Sequence, residues 1–227
     1  MTERKGGLAA AKQRPAPRRA RKRDADASRA AILQAALEEF SVYGHSGARV
    51  DRIAENAGIS KPLIYDYFGN KDAVYAAALR EAYVQIRDGE EELHLESFSP
   101  SEAIRRLVHF TMQHFWEKPW FISMLNTENL RRGETVQDLH DAADIQSVLV
   151  TKLTEILRQG AEAGEFRDDV NPVEFYIYIA SLCYFPVSNR FTLEAVFKVQ
   201  VTEDWLRDRA ETAADMLLAY LRKSPTA

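Results

Sequence analysis

Between Ser60 and Lys71, in "SKPLIYDYFGNK", the chain offers one hydroxyl (Ser60), two ammonium groups (Lys61 and Lys71) and two phenols (Tyr65 and Tyr67). No histidine or cysteine stands among them to act as a base or nucleophile. Hydroxyls, phenols and ammonium groups are the side chains that donate to phosphate oxygens. The chemistry legible here is therefore a grip on a polyanion, not bond making. Arg49, a little upstream, adds a charged donor able to reach a phosphate. Pro62 and Leu63 lie in the same stretch, and Leu63 suits apolar contact with a thymine methyl.

These groups need short, firmly placed helices to hold them. From Ser28, Ile32, Ala36, Leu37 and Phe40 recur at three- and four-residue spacing, with Gly44 as a stop. Val50, Ile53, Ala54 and Ala57 repeat the pattern over two turns, and Gly58 ends it. Ser60 is placed to cap a third helix, from Lys61 to about Tyr67, with Pro62 tolerated in its first turn. That helix is too short to stand alone and must lean on its neighbours through Ile64 and Phe68. Asn70 caps a fourth, which carries Val74, Ala78 and Leu79 on one side. Two short helices joined by a glycine turn form a helix-turn-helix, whose second helix enters a DNA major groove.

The ordered set Ala35-Ala36, Phe40, Gly44, Ile53-Ala54, Ala57-Gly58-Ile59-Ser60, Tyr65, Tyr67-Phe68 and Lys71 resembles the DNA-binding domain of the TetR family of bacterial transcriptional regulators. The resemblance implies an all-α homodimer: a three-helix head that binds a palindromic operator in double-stranded DNA, and a larger helical body that takes a small effector. It also implies that Tyr65 and Lys71 grip phosphates while Lys61 and Pro62 lie against the groove. Ala48-Arg49 stand where many relatives carry a Thr/Ser pair, so hydroxyl capping is lost there. The expected organisation is a disordered basic arm over 1–27, a head over 28–75 and an effector-binding, dimerising body over 76–227.

In the body, helices are expected from Ala103 to Trp116, from Pro119 through "NLRR", and around Ile145, Leu149, Leu153 and Ile156. Val173 to Tyr184 is apolar on nearly every side, which predicts burial on nearly every side. Leu206, Ala210, Ala213, Leu217 and Tyr220 form one face of a last helix, and these two C-terminal helices suit a seam between two copies. A pocket is expected from Phe110, His114 and Trp120, from Asn126, Asn129 and Arg132 in "LNTENLRRGE", and from Tyr176, Tyr184, Asn189 and Arg190. Aromatic walls with a few amides and a cation suit a planar aromatic or carboxylated metabolite. "ENLRRGE" and "YIYIASLCYFPVSNRFTL" are similar to the branch of the family that regulates pyrimidine and nicotinate catabolism.

Charge is divided unevenly. Residues 1–29 carry a balance of +7 and the remainder −11, so a cationic segment precedes an acidic protein and can add phosphate contacts. The single cysteine, Cys183, excludes an intramolecular disulfide and fits a reducing cytoplasm. No apolar run reaches the roughly 18 residues of a membrane span. The histidines show no metal-ligand spacing, and neither a nucleophile elbow nor a phosphate-cradling glycine loop occurs. No enzyme activity, cofactor or metal is expected. A DNA-binding architectural or division-control protein of the same fold, whose body contacts protein instead of a small-molecule effector, is the alternative function.

Overall fold

The structure, a computed structural model, describes residues 18–139 and 141–223. The head comprises α1 (Arg18–Gly47), α2 (Val50–Ala57) and α3 (Lys61–Phe68). Ile32, Leu37, Phe40, Ile53 and Ile64 on these helices are fully buried, and each such side chain taken from water contributes about 1.5–3 kcal/mol. Gly44 breaks the helix at φ 63, ψ 179, a backbone region open in practice only to glycine. Gly58 closes α2 in the left-handed region, its N–H reaching the carbonyls of Ala54 and Glu55.

α1 begins inside the stretch expected to be a mobile arm. Residues 18–27 are helical, and only residues 1–17 of that segment lie outside the described residues. The reason is local. After Pro17 the sequence is rich in Ala, Arg and Lys, which are good helix formers, and turns added to a helix already anchored at Ile32 to Phe40 carry no nucleation cost.

α4 (Lys71–Glu92) runs through the expected boundary at 75/76 and belongs to both units. Val74, Ala78 and Leu79 face the core as expected, and Ala82 and Ile86 extend the stripe. The body continues with a 3₁₀ turn at Leu95–Ser97, then α5 (Pro100–Glu117), α6 (Pro119–Leu130), α7 (Glu134–Asp138) and α8 (Ala142–Glu162). It ends with α9 (Pro172–Ser188), α10 (Arg190–Thr192) leading into a π turn at Leu193–Phe197, and α11 (Glu203–Leu221). α5 is central, packing on α8, α9 and α11, while α6 lies on α1 and α8 on α4. Among the described residues no strand forms; Phe166 and Arg222 make an isolated bridge. No helix among them is long and apolar enough to cross a membrane.

The expectation that α9 is buried on nearly every side is corrected. Phe175, Ile179 and Cys183 are buried, but Val173, Ile177, Tyr178 and Phe185 are exposed, as are Met216 and Tyr220 on α11. One chain is wide enough to cover one face of α9, and the opposite face stays apolar without cover.

Candidate functional site

The outer surface of α3 is built as its spacing predicts. Ile64 is buried, Phe68 is partly buried against the core, and Pro62, Tyr65 and Asp66 face outward, with Tyr65 38% exposed. Ser60 occupies the N-cap position, yet its hydroxyl makes no capping bond. Lys61 pairs with Asp51 at 2.8 Å, and that contact raises the Lys61 pKa and lowers that of Asp51. Arg49 lies 3.9 Å from the same carboxylate. Lys71 reaches the Ser46 carbonyl at 3.3 Å, and Arg29 donates to the Tyr67 carbonyl at 3.3 Å while lying over the Tyr67 and Phe68 rings. The missing hydroxyl cap ahead of α2 is replaced from within the head. The buried Glu39 carboxylate accepts from the Arg49 N–H at 2.7 Å and from Arg52 Nε at 2.8 Å.

Head and body meet through polar contacts at the end of α6. His45 contacts Asp72 through Nε2 and Arg131 through Nδ1, each at 2.8 Å. An Arg131 N–H donating to Nδ1 leaves the ring proton on Nε2. Buried Glu128 accepts from the Tyr75 hydroxyl at 3.2 Å and from the backbone N–H groups of Thr135 and Val136 at 2.5 and 3.0 Å. The Arg131 guanidinium lies over the Tyr75 ring, 5.6 Å from its centroid. The "ENLRRGE" segment thus secures a junction. Its acid is a buried hub.

The body carries a cleft of about 310 Å³ between α4, α5, α6 and α9, walled by Tyr83, Phe115, Phe121, Tyr176 and Tyr184. Arg87 also lines it and is 7% exposed. Its Nη2 donates to the Tyr176 hydroxyl at 3.0 Å, and Nη1 lies 2.7 Å from Glu90 Oε2. That second contact is close but misdirected: Arg87 Nε and Nη1 and both Glu90 oxygens lack hydrogen-bond partners. Burial pushes the Glu90 carboxyl up to about 7, against the pull of Arg87 and Lys152. His114 is buried against Phe110, Phe115 and Phe121. Burial, then Lys118 and Arg87, push it down to about 4, so it is neutral near pH 7. Guanidinium N–H groups without acceptors, among aromatic walls, can hold an anion.

A second cavity, about 290 Å³, opens between α5 and α11 beside Met112, Trp116 and Leu206. Its charged rim is already paired, His109 with Glu211 and Arg207 with Asp204. Burial also pushes the Cys183 thiol up to about 12, which leaves it unreactive. Among the described residues no group of three or more His, Cys, Asp or Glu could hold a metal ion.

The expected pocket residues separate into two groups. Tyr176 and Tyr184 line the cleft, Phe110 and His114 pack behind its wall, and Asn126 accepts from the Tyr184 hydroxyl. The others lie elsewhere. Asn129 turns its amide to the Leu125 carbonyl, Arg132 sits in a left-handed turn at φ 62, and Asn189 bonds the Phe185 carbonyl. Arg190 lies over Trp116 and Phe191, and Trp120 packs on Phe121 beneath Lys118. Sequence reasoning missed Arg87, Glu90 and Tyr83. Their signal was present: residues 79, 83, 86, 87 and 90 share one face of α4, and a charge on an apolar stripe is the informative exception.

Residues 32–78 match the family described as bacterial regulatory proteins, tetR family, and residues 100–217 match the tetracyclin repressor-like C-terminal domain. The chain is 35% identical over 208 residues to the HTH-type transcriptional repressor NicS of Pseudomonas putida KT2440, covering 89% of this chain and 96% of that one. It is 33% identical over 135 residues to the HTH-type transcriptional regulator RutR of Escherichia coli K12, covering 57% and 63%. In fold it is similar to a transcriptional regulator FadR from Bacillus subtilis, solved in complex with stearoyl-CoA. The TM-score is 0.66 at 20% identity, over 85% of this chain and 98% of that one.

Proposed function

The chain belongs to the tetR family of bacterial regulatory proteins, and from that premise we propose that this DNA-binding transcriptional regulator is a repressor released from its operator when a small effector fills the α4–α9 cleft. The observation that carries the reading is α4 itself. Lys71 stands at its head end and Arg87 on the cleft wall, about 24 Å further along at 1.5 Å per residue. Tyr65, Lys71, Arg49 and the Ser60 hydroxyl supply phosphate contacts, while Lys61, Pro62, Leu63 and Tyr67 bring α3 to the groove.

A second copy would cover the apolar face of Val173, Ile177, Phe185 and Met216 on α9 and α11. Two heads so joined meet half-sites about 34–36 Å apart, or a small multiple of that. An effector weakens DNA binding only as far as it prefers the state that mismatches this spacing, at about 1.4 kcal/mol for each tenfold. NicS, a relative named a repressor, supports the direction of control. The test is a thermal-shift screen with small planar metabolites, followed by operator titrations with each compound that stabilises the protein. Stabilising compounds should weaken operator binding; unchanged affinity with all of them would leave the body without an effector role.

A further inference from the structure

The buried carboxylates of this protein are used unequally. Glu39 accepts from Arg49 and Arg52, and Glu128 accepts from Tyr75, Thr135 and Val136. Glu90, equally buried, lies 2.7 Å from Arg87 and accepts no hydrogen bond, while Arg87 Nε and Nη1 donate to nothing. A buried ion pair is stabilising only when directed hydrogen bonds satisfy both partners. Arg87 lines a cleft open to small molecules, and buried Glu90, which is not one of the lining residues, is held against it for want of better company.

We infer that a small planar carboxylate enters this cleft, takes Arg87 from Glu90 in a two-pronged contact, and leaves Glu90 to accept a proton from solvent. The inference rests on the effector-cleft reading above and names the effector's chemical class. The fork of a guanidinium matches a carboxylate in a way that the present Glu90 contact does not. Phe115, Phe121, Tyr176 and Tyr184 offer faces for a single ring, and about 310 Å³ is room for one.

The surroundings of Glu90 decide where the charge goes. From its own helix it meets Arg87, and from α8 Lys152. Tyr83, on α4, is held neutral by burial and the Glu128 charge, and Tyr176 of α9 already accepts from Arg87. Neutral His114 and the Lys118 cation lie on the α5 side, where His114 feels both Lys118 and Arg87. A ligand carboxylate on Arg87 leaves Glu90 only Lys152, and two carboxylates sharing one guanidinium repel. Glu90 is already raised to about 7 by burial, so protonation is the easy response. One proton moves from solvent to Glu90, the ligand stays an anion, and no covalent bond changes.

The experiment is calorimetric titration of the full chain with benzoate and with neutral benzamide, near pH 8, in phosphate and in Tris. Benzoate should bind with uptake approaching one proton, and its affinity should fall about tenfold for each pH unit above 7. Benzamide should bind at least about tenfold more weakly, without proton uptake. Glu90→Gln, checked as folded by its melting, should bind benzoate with no uptake and no dependence on pH. Absent uptake in the parent, equal binding of benzamide, or no benzoate binding at millimolar concentration would each overturn the inference. If benzoate binds with proton uptake but leaves operator affinity unchanged, the effector reading fails and this inference stands. If a screened carboxylate releases operator yet binds without uptake, the reverse holds.

Discussion

Replacing Glu90 by glutamine should make the protein more stable at alkaline pH than at acid pH, relative to the parent. The carboxyl titrates at about 7 in the fold against an ordinary value of 4.5, because burial disfavours its charge. A raised carboxyl binds its proton more tightly when folded, so its contribution is fully present below 4.5 and is lost as pH rises through 7. At 1.36 kcal/mol for each pH unit of difference, the loss is about 3 kcal/mol. His114 works in the opposite sense. Its folded value of about 4 lies below the ordinary 6.5, so its contribution is present above 6.5 and is lost as pH falls toward 4, again by about 3 kcal/mol.

The two slopes overlap and offset each other, which makes the parent's own profile uninformative. The difference between parent and variant isolates Glu90. Urea titrations followed by circular dichroism should show near-equal stability at pH 4.5, and a variant ahead by about 3 kcal/mol near pH 8, with unchanged m. A difference that stays flat across this range would mean that Arg87 and Lys152 hold the buried carboxylate ionised. A variant less stable than the parent at pH 8 would mean that the ion pair is worth more than its burial costs.

Tyr65→Phe and Lys71→Ala should each weaken operator binding about tenfold, the ~1.4 kcal/mol expected of one charge-assisted contact, without altering melting, since neither side chain belongs to the buried core. Fluorescence anisotropy with an operator duplex measures this, and parental affinity would remove both from the phosphate contacts. Gly160→Ala sets helix propensity against packing: alanine favours a helix by about 1 kcal/mol, but its Cβ would stand 2.0 Å from Cδ2 of buried Phe166. Overpacking of about 1–3 kcal/mol should win and lower the melting temperature; a raised one would show that Phe166 can move aside.

The head was legible because its signals are local. Ile32, Phe40, Ile53 and Ile64 mark their helices by spacing, and Gly44 and Gly58 mark the ends by backbone requirement, so each could be read without knowing the partner. The body helices were legible for the same reason. The cleft was less so, because it assembles side chains from α4, α5, α6 and α9, and no spacing along one helix says which loops bring them together. Asn129 and Arg132 looked like pocket residues by type, yet their helix turns them toward Leu125 and into a turn. Arg87 is charged, yet its place on the Leu79–Ile86 face buries it. Glu39 as the substitute cap for α2 could not be read either, being ten residues from Arg49 and on another helix.

On the proposed function, the head–body junction is the route by which a ligand among aromatic rings would act on α3. Two cleft walls lead to it directly: α6 carries Phe121 and then Glu128, with Arg131 just past its end, and α4 carries Arg87 and Tyr83 and then Tyr75. At the junction those helices are tied to each other by Glu128 and Tyr75, and to α1 and Asp72 by Arg131 and His45. Such ties resist partial adjustment, because a hydrogen bond to a buried charge is worth about 1.5–3 kcal/mol, whereas a tenfold change in DNA affinity needs only about 1.4. A ligand that spreads α4 from α6 would therefore keep the Glu128 contacts whole and turn the tied helices together, carrying His45, Asp72 and α1 with them. The head would be reoriented as a unit, with its own core intact, and the distance between two heads would change while each α3 kept its surface.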